Sequence, residues 1–298
     1  MKLLLATTHH PVCSGRWMTD AFKRIGVDVR HIGGPSHWPY IDERHYWEPD
    51  AYYENAYWPD WTPDLVLYMD TSFKPWISSY PGVPHAVYCT CNNVCNMTMA
   101  TMQHYFVAAK YGPEWPVAGD DMTWLPNAYD PTLHTPSAIP YEEREYDVCM
   151  AGSIDSSRRA IITAMEDAGL KVFADVHCYY EDYVAAYHNS RIGLVYNEQQ
   201  SGMMRIFETA AMGCVVLSCP ILDYQNLKPR GVELFRQEDA AYSATMKAEM
   251  LIDNPDYAKR LISNAQVWVR PHTWDARAQA VEDWWTENKE RLNEQVRA

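Results

Sequence analysis

Long apolar runs are missing from this chain. No stretch of its 298 residues reaches the ~18 uninterrupted apolar side chains that a membrane-spanning helix needs. The opening Met1-Lys2-Leu3-Leu4-Leu5-Ala6 stops at Thr7 and runs into His9, His10 and Pro11, too short for the apolar centre of a secretory leader. A soluble, cytoplasmic protein with no membrane partner is expected. Basic residues are scarce too: 25 Lys and Arg stand against 39 Asp and Glu, a formal charge of −14. Neutralising phosphates needs clustered Lys and Arg, so a broad electrostatic grip on nucleic acid is disfavoured, although a local basic patch is not. A standard zinc pattern is also absent. Cys89, Cys91 and Cys95 follow a C-x-C-x3-C spacing with no close second pair. Cys149, Cys214 and Cys219 lie in or beside runs that read as buried strands, where thiols behave as small hydrophobes. Reduced cysteines and no bound metal are expected.

What the chain does have is enough apolar content, 47%, to build one large domain or two ordinary ones. Lys2 to Thr7 reads as a strand, Arg16 to Ile25 as an amphipathic helix closed by Gly26, and Val27 to Ile32 as a second strand. Asp64 to Met69, Pro84 to Tyr88 and Tyr105 to Ala108 repeat the short buried-strand signal, which a parallel sheet explains best. Between Trp124 and Tyr146, four prolines with little periodicity mark a connector. The β-α grammar then restarts: strands at 147–151, 171–173, 191–196 and 214–218, helices at 156–168, 183–189 and 204–212. Of the 12 Trp and 21 Tyr, many fall between Trp38 and Trp76, where rings either stack on sugars or bases or pack a loop-rich segment.

The segment Arg205-Ile206-Phe207-Glu208-Thr209-Ala210-Ala211-Met212-Gly213 carries the most chemistry. Arg205, Glu208 and Thr209 are spaced i, i+3, i+4 and share a helix face, and the loop Asn197 to Gly202, with Ser201 in it, delivers that helix's N-terminus to the sheet edge. Taken alone, this reads as a surface ion pair on an ordinary α/β helix. In the first half, His10 and Gly15 fall in the first β-α loop, Gly15 as a candidate donor contact, and Asp70 closes a strand on the same edge; His10 or Asp70 is a general-base candidate, or a turn or cap residue.

The Arg205 segment resembles the donor-binding signature of GT-B glycosyltransferases, in particular the CgeB-like group related to glycosyltransferase families 1 and 4. Four further stretches resemble the same group in the same order: Leu65 to Asp70, Trp124 to Pro131, Met150 to Ser153 with Arg158-Arg159, and His272 to Arg277. The resemblance implies an α/β fold of two Rossmann-like domains with parallel sheets facing a cleft. An acceptor domain would span 1–140, a donor domain 141–272, and a terminal helix 273–298 would pack back on the first. It implies that Glu208 binds the donor ribose with Arg205 beside it, that Gly152-Ser153 lies near the diphosphate, and that Arg158 or Arg159 adds positive charge there. Gln200 stands where the related E-x7-E pattern has its first carboxylate. Glu208 is expected to point into an open cleft, so that truncating it leaves stability unchanged.

The expected activity is metal-independent transfer of a sugar from a nucleoside-diphosphate sugar, UDP first, to an acceptor hydroxyl, the donor being a co-substrate and no cofactor being required. Two alternatives stand beside it: a DNA-modifying glycosyltransferase acting on hydroxymethylated bases, extruded against the aromatic segment, and a non-catalytic nucleotide-sugar-binding or scaffold protein.

Overall fold

The computed structural model describes residues 1–7, 12–33, 42–52, 57–69, 80–90, 102–108, 122–197, 203–221 and 223–297. The chain divides into two compact units, Met1–Asn127 together with Trp274–Ala298, and Ala128–Thr273.

In the first unit, strands β1 (Lys2–Thr7), β2 (Asp28–Gly33), β3 (Ala51–Tyr52), β4 (Leu65–Met69), β5 (His85–Cys89), β6 (His104–Val107) and β7 (Met122–Trp124) form one sheet in the order β3-β2-β1-β4-β5-β6-β7. Its pairings are parallel. Leu65 to Met69 is buried at every position, as expected of a parallel strand covered on both faces. Helix α1 (Ser14–Arg24) lies close against β1 because Gly15 has no side chain: a Cβ there would stand 1.9 Å from Thr7 Oγ1. Gly15, expected at the donor, packs against Thr7. Among the described aromatics, Trp58 and Trp61 flank the Arg30 guanidinium, each 4.8 Å from it, and Trp47 stacks on His31 at 4.7 Å. These rings pack against their own unit.

The last helix of the chain completes this first unit. Its opening residue, Trp274, is fully buried 6.2 Å from the Tyr88 ring, and Trp284 lies against Phe106 at 5.1 Å. Arg24 Nε donates to Asp275 Oδ1 at 2.8 Å, and the buried Arg277 donates to the Pro126 carbonyl at 2.7 Å.

In the second unit, β8 (Tyr146–Ala151), α2 (Ser156–Asp167), β9 (Val172–Asp175), α3 (Tyr180–His188), β10 (Ser190–Val195), α4 (Met204–Ala211), β11 (Val215–Ser218), α5 (Tyr224–Leu227), β12 (Val232–Leu234), α6 (Ala240–Asp253) and α7 (Pro255–Val269) follow in sequence, before α8 (Trp274–Arg297) returns to the first unit. The sheet order is β12-β11-β10-β8-β9, again parallel. Period-two alternation decides the packing: Val148 and Met150 join the core under α2 and α6, while Cys149 and Ala151 face Tyr187, Met212 and Cys214. Cys149, Cys178, Cys214 and Cys219 are free and buried, and burial pushes their thiols up. Cys91 and Cys95 lie outside the described residues.

The division between the units at 127/128 differs from the boundary expected at 140. The intervening connector is bonded to the second unit: Tyr129 N–H donates to the His272 carbonyl at 3.1 Å, Ser137 N–H to Met212 at 3.0 Å, and Ser137 Oγ to His188 at 3.0 Å. No helix among the described residues is long and apolar enough to cross a membrane.

Candidate functional site

Strand order in the second unit reverses between β8 and β10: β9 lies beyond β8, and β11 and β12 continue beyond β10. Loops leaving two such parallel neighbours diverge, and the crevice outside their carboxyl ends is where open α/β sheets bind ligands. Gly152-Ser153 leaves β8 there, and Tyr196-Asn197 leaves β10.

Gly152 has φ +108°, a conformation that side chains rarely adopt, and its N–H donates to the Asp175 carbonyl at 2.8 Å. A Cβ on it would stand 2.5 Å from Arg205 Nη2. The glycine therefore makes the turn and also leaves room for a guanidinium. Gly152→Ala is expected to lower stability by about 1–2 kcal/mol, since the backbone conformation and the overlap with Arg205 are both unfavourable. Denaturant unfolding of the two proteins checks this, and equal midpoints would show that the turn relaxes freely.

Arg205, in the first turn of α4, keeps its Nε and Nη1 buried with no hydrogen-bond partner. Burial opposes its charge, but Tyr187, Tyr183 and Glu208 around it outweigh that and raise its pKa, so it stays cationic. One turn on, Glu208 is buried at 7% exposure. Its Oε2 accepts the Tyr183 hydroxyl proton at 2.7 Å, and its Oε1 lies 3.6 Å from His134 Nε2. His134 is itself buried, with Nδ1 3.1 Å from the Asp130 N–H. In the tautomer that accepts this N–H, Nε2 carries the ring proton and turns it towards Glu208. Burial first, and then the Glu208 charge, push the Tyr183 phenol well above its ordinary range, so Tyr183 remains a donor. The Tyr187 hydroxyl is buried without a hydrogen-bond partner.

Glu208 thus does not point into open space, as the sequence suggested, but is gripped from α3 and from the turn at Asp130–His134. Thr209 turns to the sheet: its Cγ2 would lie 2.4 Å from a Cβ on Gly193 of β10, so this position serves helix-to-strand packing. Arg158, expected as a cation for diphosphate, spends its donors on carbonyls. Nη1 reaches Ser153 at 2.8 Å, and Nη2 and Nε reach Tyr196 at 3.0 and 3.3 Å, which fastens the loop after β8 to the end of β10. Arg159 is exposed in the first turn of α2. The Asn197 N–H lies 3.4 Å from Cys219 Sγ. Ser201, Gly202, His10 and Asp70 lie outside the described residues. His134, Tyr183 and Tyr187 are additions that sequence reasoning missed. The signal available for them was only their residue type, since their partner on α4 is distant in sequence.

Residues 138–283 match a family model described as glycosyl transferase-like. No curated protein sequence matches the chain. Among solved structures, Anabaena HepE in complex with UDP and glucose aligns at TM-score 0.68 and 11% identity, over 96% of this chain and 100% of that one. Sucrose-phosphate synthase from Thermosynechococcus elongatus aligns at TM-score 0.64 and 13% identity, over 96% and 98%. An alpha-glucosyltransferase in complex with UDP-glucose and DNA containing an abasic site aligns at TM-score 0.62 and 11% identity, over 96% and 99%. The fold is GT-B. Within this GT-B chain the matched family segment takes in Gly152, Tyr183, Arg205 and Glu208, and begins after His134.

Proposed function

We propose that this chain transfers a sugar from a nucleoside-diphosphate sugar to an acceptor hydroxyl, with UDP the first candidate nucleotide. Arg205 carries the reading: a buried guanidinium whose Nε and Nη1 have no hydrogen-bond partner, set against a glycine turn where the strand order reverses. Unpaired buried cations are costly, and the anion that a sugar donor brings is a diphosphate, which a guanidinium binds through paired N–H donors. Glu208, on the same helix, has lone pairs left for the ribose diol after Tyr183 and His134 are served. The glycosyl transferase-like match and the UDP and UDP-glucose held by proteins of the same fold support this choice. The ordered motifs from Leu65 to Arg277 support the CgeB-like group.

In the proposed reaction the bond from the anomeric carbon to the diphosphate oxygen breaks, and the departing charge falls to Arg205. The acceptor oxygen bonds to that carbon and gives its proton to a base. No metal is required for this. Nucleoside diphosphate is accordingly expected to bind in excess chelator. A thermal-shift and titration panel of UDP, GDP, ADP and TDP, with and without chelator, tests both points, because a ligand at 100 times its Kd stabilises by ~2.7 kcal/mol. Loss of binding on chelation would sink the metal-independent mechanism; no shift with any nucleotide would sink the donor site. Turnover assays on the bound donor separate an enzyme from a binding protein.

His10→Ala or Asp70→Asn is expected to lower kcat about 100-fold, the low end for a general base, with donor affinity little changed. Full activity in both variants would place the base elsewhere.

A second reading keeps the reaction and makes the acceptor a hydroxymethylated base in DNA. Its support is the likeness to the alpha-glucosyltransferase solved with DNA, one complex of which contains an HMU base. The charge of −14 and the packing of Trp47, Trp58 and Trp61 within their own unit weigh against it. Salt-dependent binding of hydroxymethylated DNA discriminates the two.

A further inference from the structure

Arg205 and Glu208 are i and i+3 on one helix, a spacing at which opposite charges ordinarily pair. Among the described residues they make no ion pair. Both oxygens of Glu208 are engaged from outside its own helix: Tyr183 holds one at 2.7 Å and His134 flanks the other at 3.6 Å. Tyr183 is in turn held by rings, packed 4.8 Å from Tyr187 and edge-on to His134 at 6.0 Å. His134 is fixed by the Asp130 backbone at 3.1 Å. Burial keeps the Tyr183 phenol protonated, so the donor cannot be lost by titration near neutrality. Nε and Nη1 of Arg205 are left without a hydrogen-bond partner, while the Tyr183 hydroxyl lies beside the same guanidinium.

We infer that Tyr183 and His134 are positioning residues whose work is to keep Glu208 off Arg205, so that the guanidinium stays available for the diphosphate. This rests on the donor-site reading above. Without the clamp, Glu208 swings to the guanidinium and closes an intrahelical ion pair, and an incoming diphosphate must then displace a carboxylate. Tyr183 need not touch the diphosphate for its loss to weaken diphosphate binding.

Inorganic pyrophosphate is the probe, since it reports on the diphosphate seat and carries no ribose for Glu208 to hold. Titrations are run on the wild type, Tyr183→Phe, Glu208→Gln and the double variant; the Phe variant keeps the ring and its packing. Tyr183→Phe is expected to bind pyrophosphate about tenfold more weakly, as a competing charge-assisted contact would cause. Glu208→Gln is expected to bind it at least as well as the wild type, and the double variant to match Glu208→Gln, because no carboxylate remains to compete. His134→Gln repeats the measurement through the other arm of the clamp and is expected to weaken binding in the same sense. Wild-type affinity in Tyr183→Phe would overturn the inference, as would a double variant as weak as Tyr183→Phe, which would mean that Tyr183 acts on the anion or on the fold. If the wild type binds neither pyrophosphate nor any nucleoside diphosphate, it is the donor-site reading that fails, and the inference falls with it.

Discussion

Glu208→Ala is expected to lower affinity for the donor nucleotide by about 10- to 150-fold. The carboxylate accepts hydrogen bonds from ribose hydroxyls, and a charge-assisted contact of this kind is worth roughly 1.5–3 kcal/mol. The penalty that the wild type imposes on a 2′-deoxy nucleotide should shrink in the variant, because the group that reads the hydroxyl is gone. Stability should fall as well, by about 1–3 kcal/mol, since Tyr183 loses the acceptor of its buried hydroxyl and His134 loses the charge it faces. Titration with UDP and 2′-deoxy-UDP, alongside denaturant unfolding, checks all three effects. Equal ribonucleotide affinity in the two proteins would reduce the carboxylate to a structural acceptor for Tyr183 and remove its donor role.

Arg205→Met should separate binding from stability. Nucleoside diphosphate affinity is expected to drop about 100-fold, the equivalent of ~2.8 kcal/mol, because the cation that faces the diphosphate is replaced by a thioether. The unliganded protein is expected to change in stability by no more than about 1 kcal/mol, because Nε and Nη1 give up no hydrogen bond and the apolar stem is kept, while Glu208 loses a nearby cation. A large loss of binding with little change in stability is the mark of a group retained for its ligand. A variant that both destabilises and still binds would make Arg205 a structural cation.

Much of this was legible in the sequence, and the boundary of what was not has a physical cause. β1, β4, β8, β10 and β11 are short apolar runs buried on both faces, so they announce themselves one by one. The face of α4 that bears Arg205 and Glu208 follows from helical spacing. The short β12 and its helices α6 and α7 carry no such signal over Val232–Leu234 and went unread. Thr209 lies close enough in angle to Arg205 that spacing alone assigns it to the same face, yet Gly193 pulls it to the sheet. A basic residue at the start of α2 is visible in the sequence; the carbonyls of Ser153 and Tyr196 that engage Arg158 are not. His134 and Tyr183 reach Glu208 from a connector and from another helix, and only the folded backbone brings the three together.

The path of the chain through its two units sets an order on its synthesis. Residues 128–273 are contiguous and can close their sheet as soon as they emerge. The first unit, although translated earlier, has to wait: Tyr88 and Phe106 remain without the Trp274 and Trp284 rings until the second unit has been made in full. The half made first is the half completed last, and until α8 arrives it exposes an apolar face of the kind that chaperones hold.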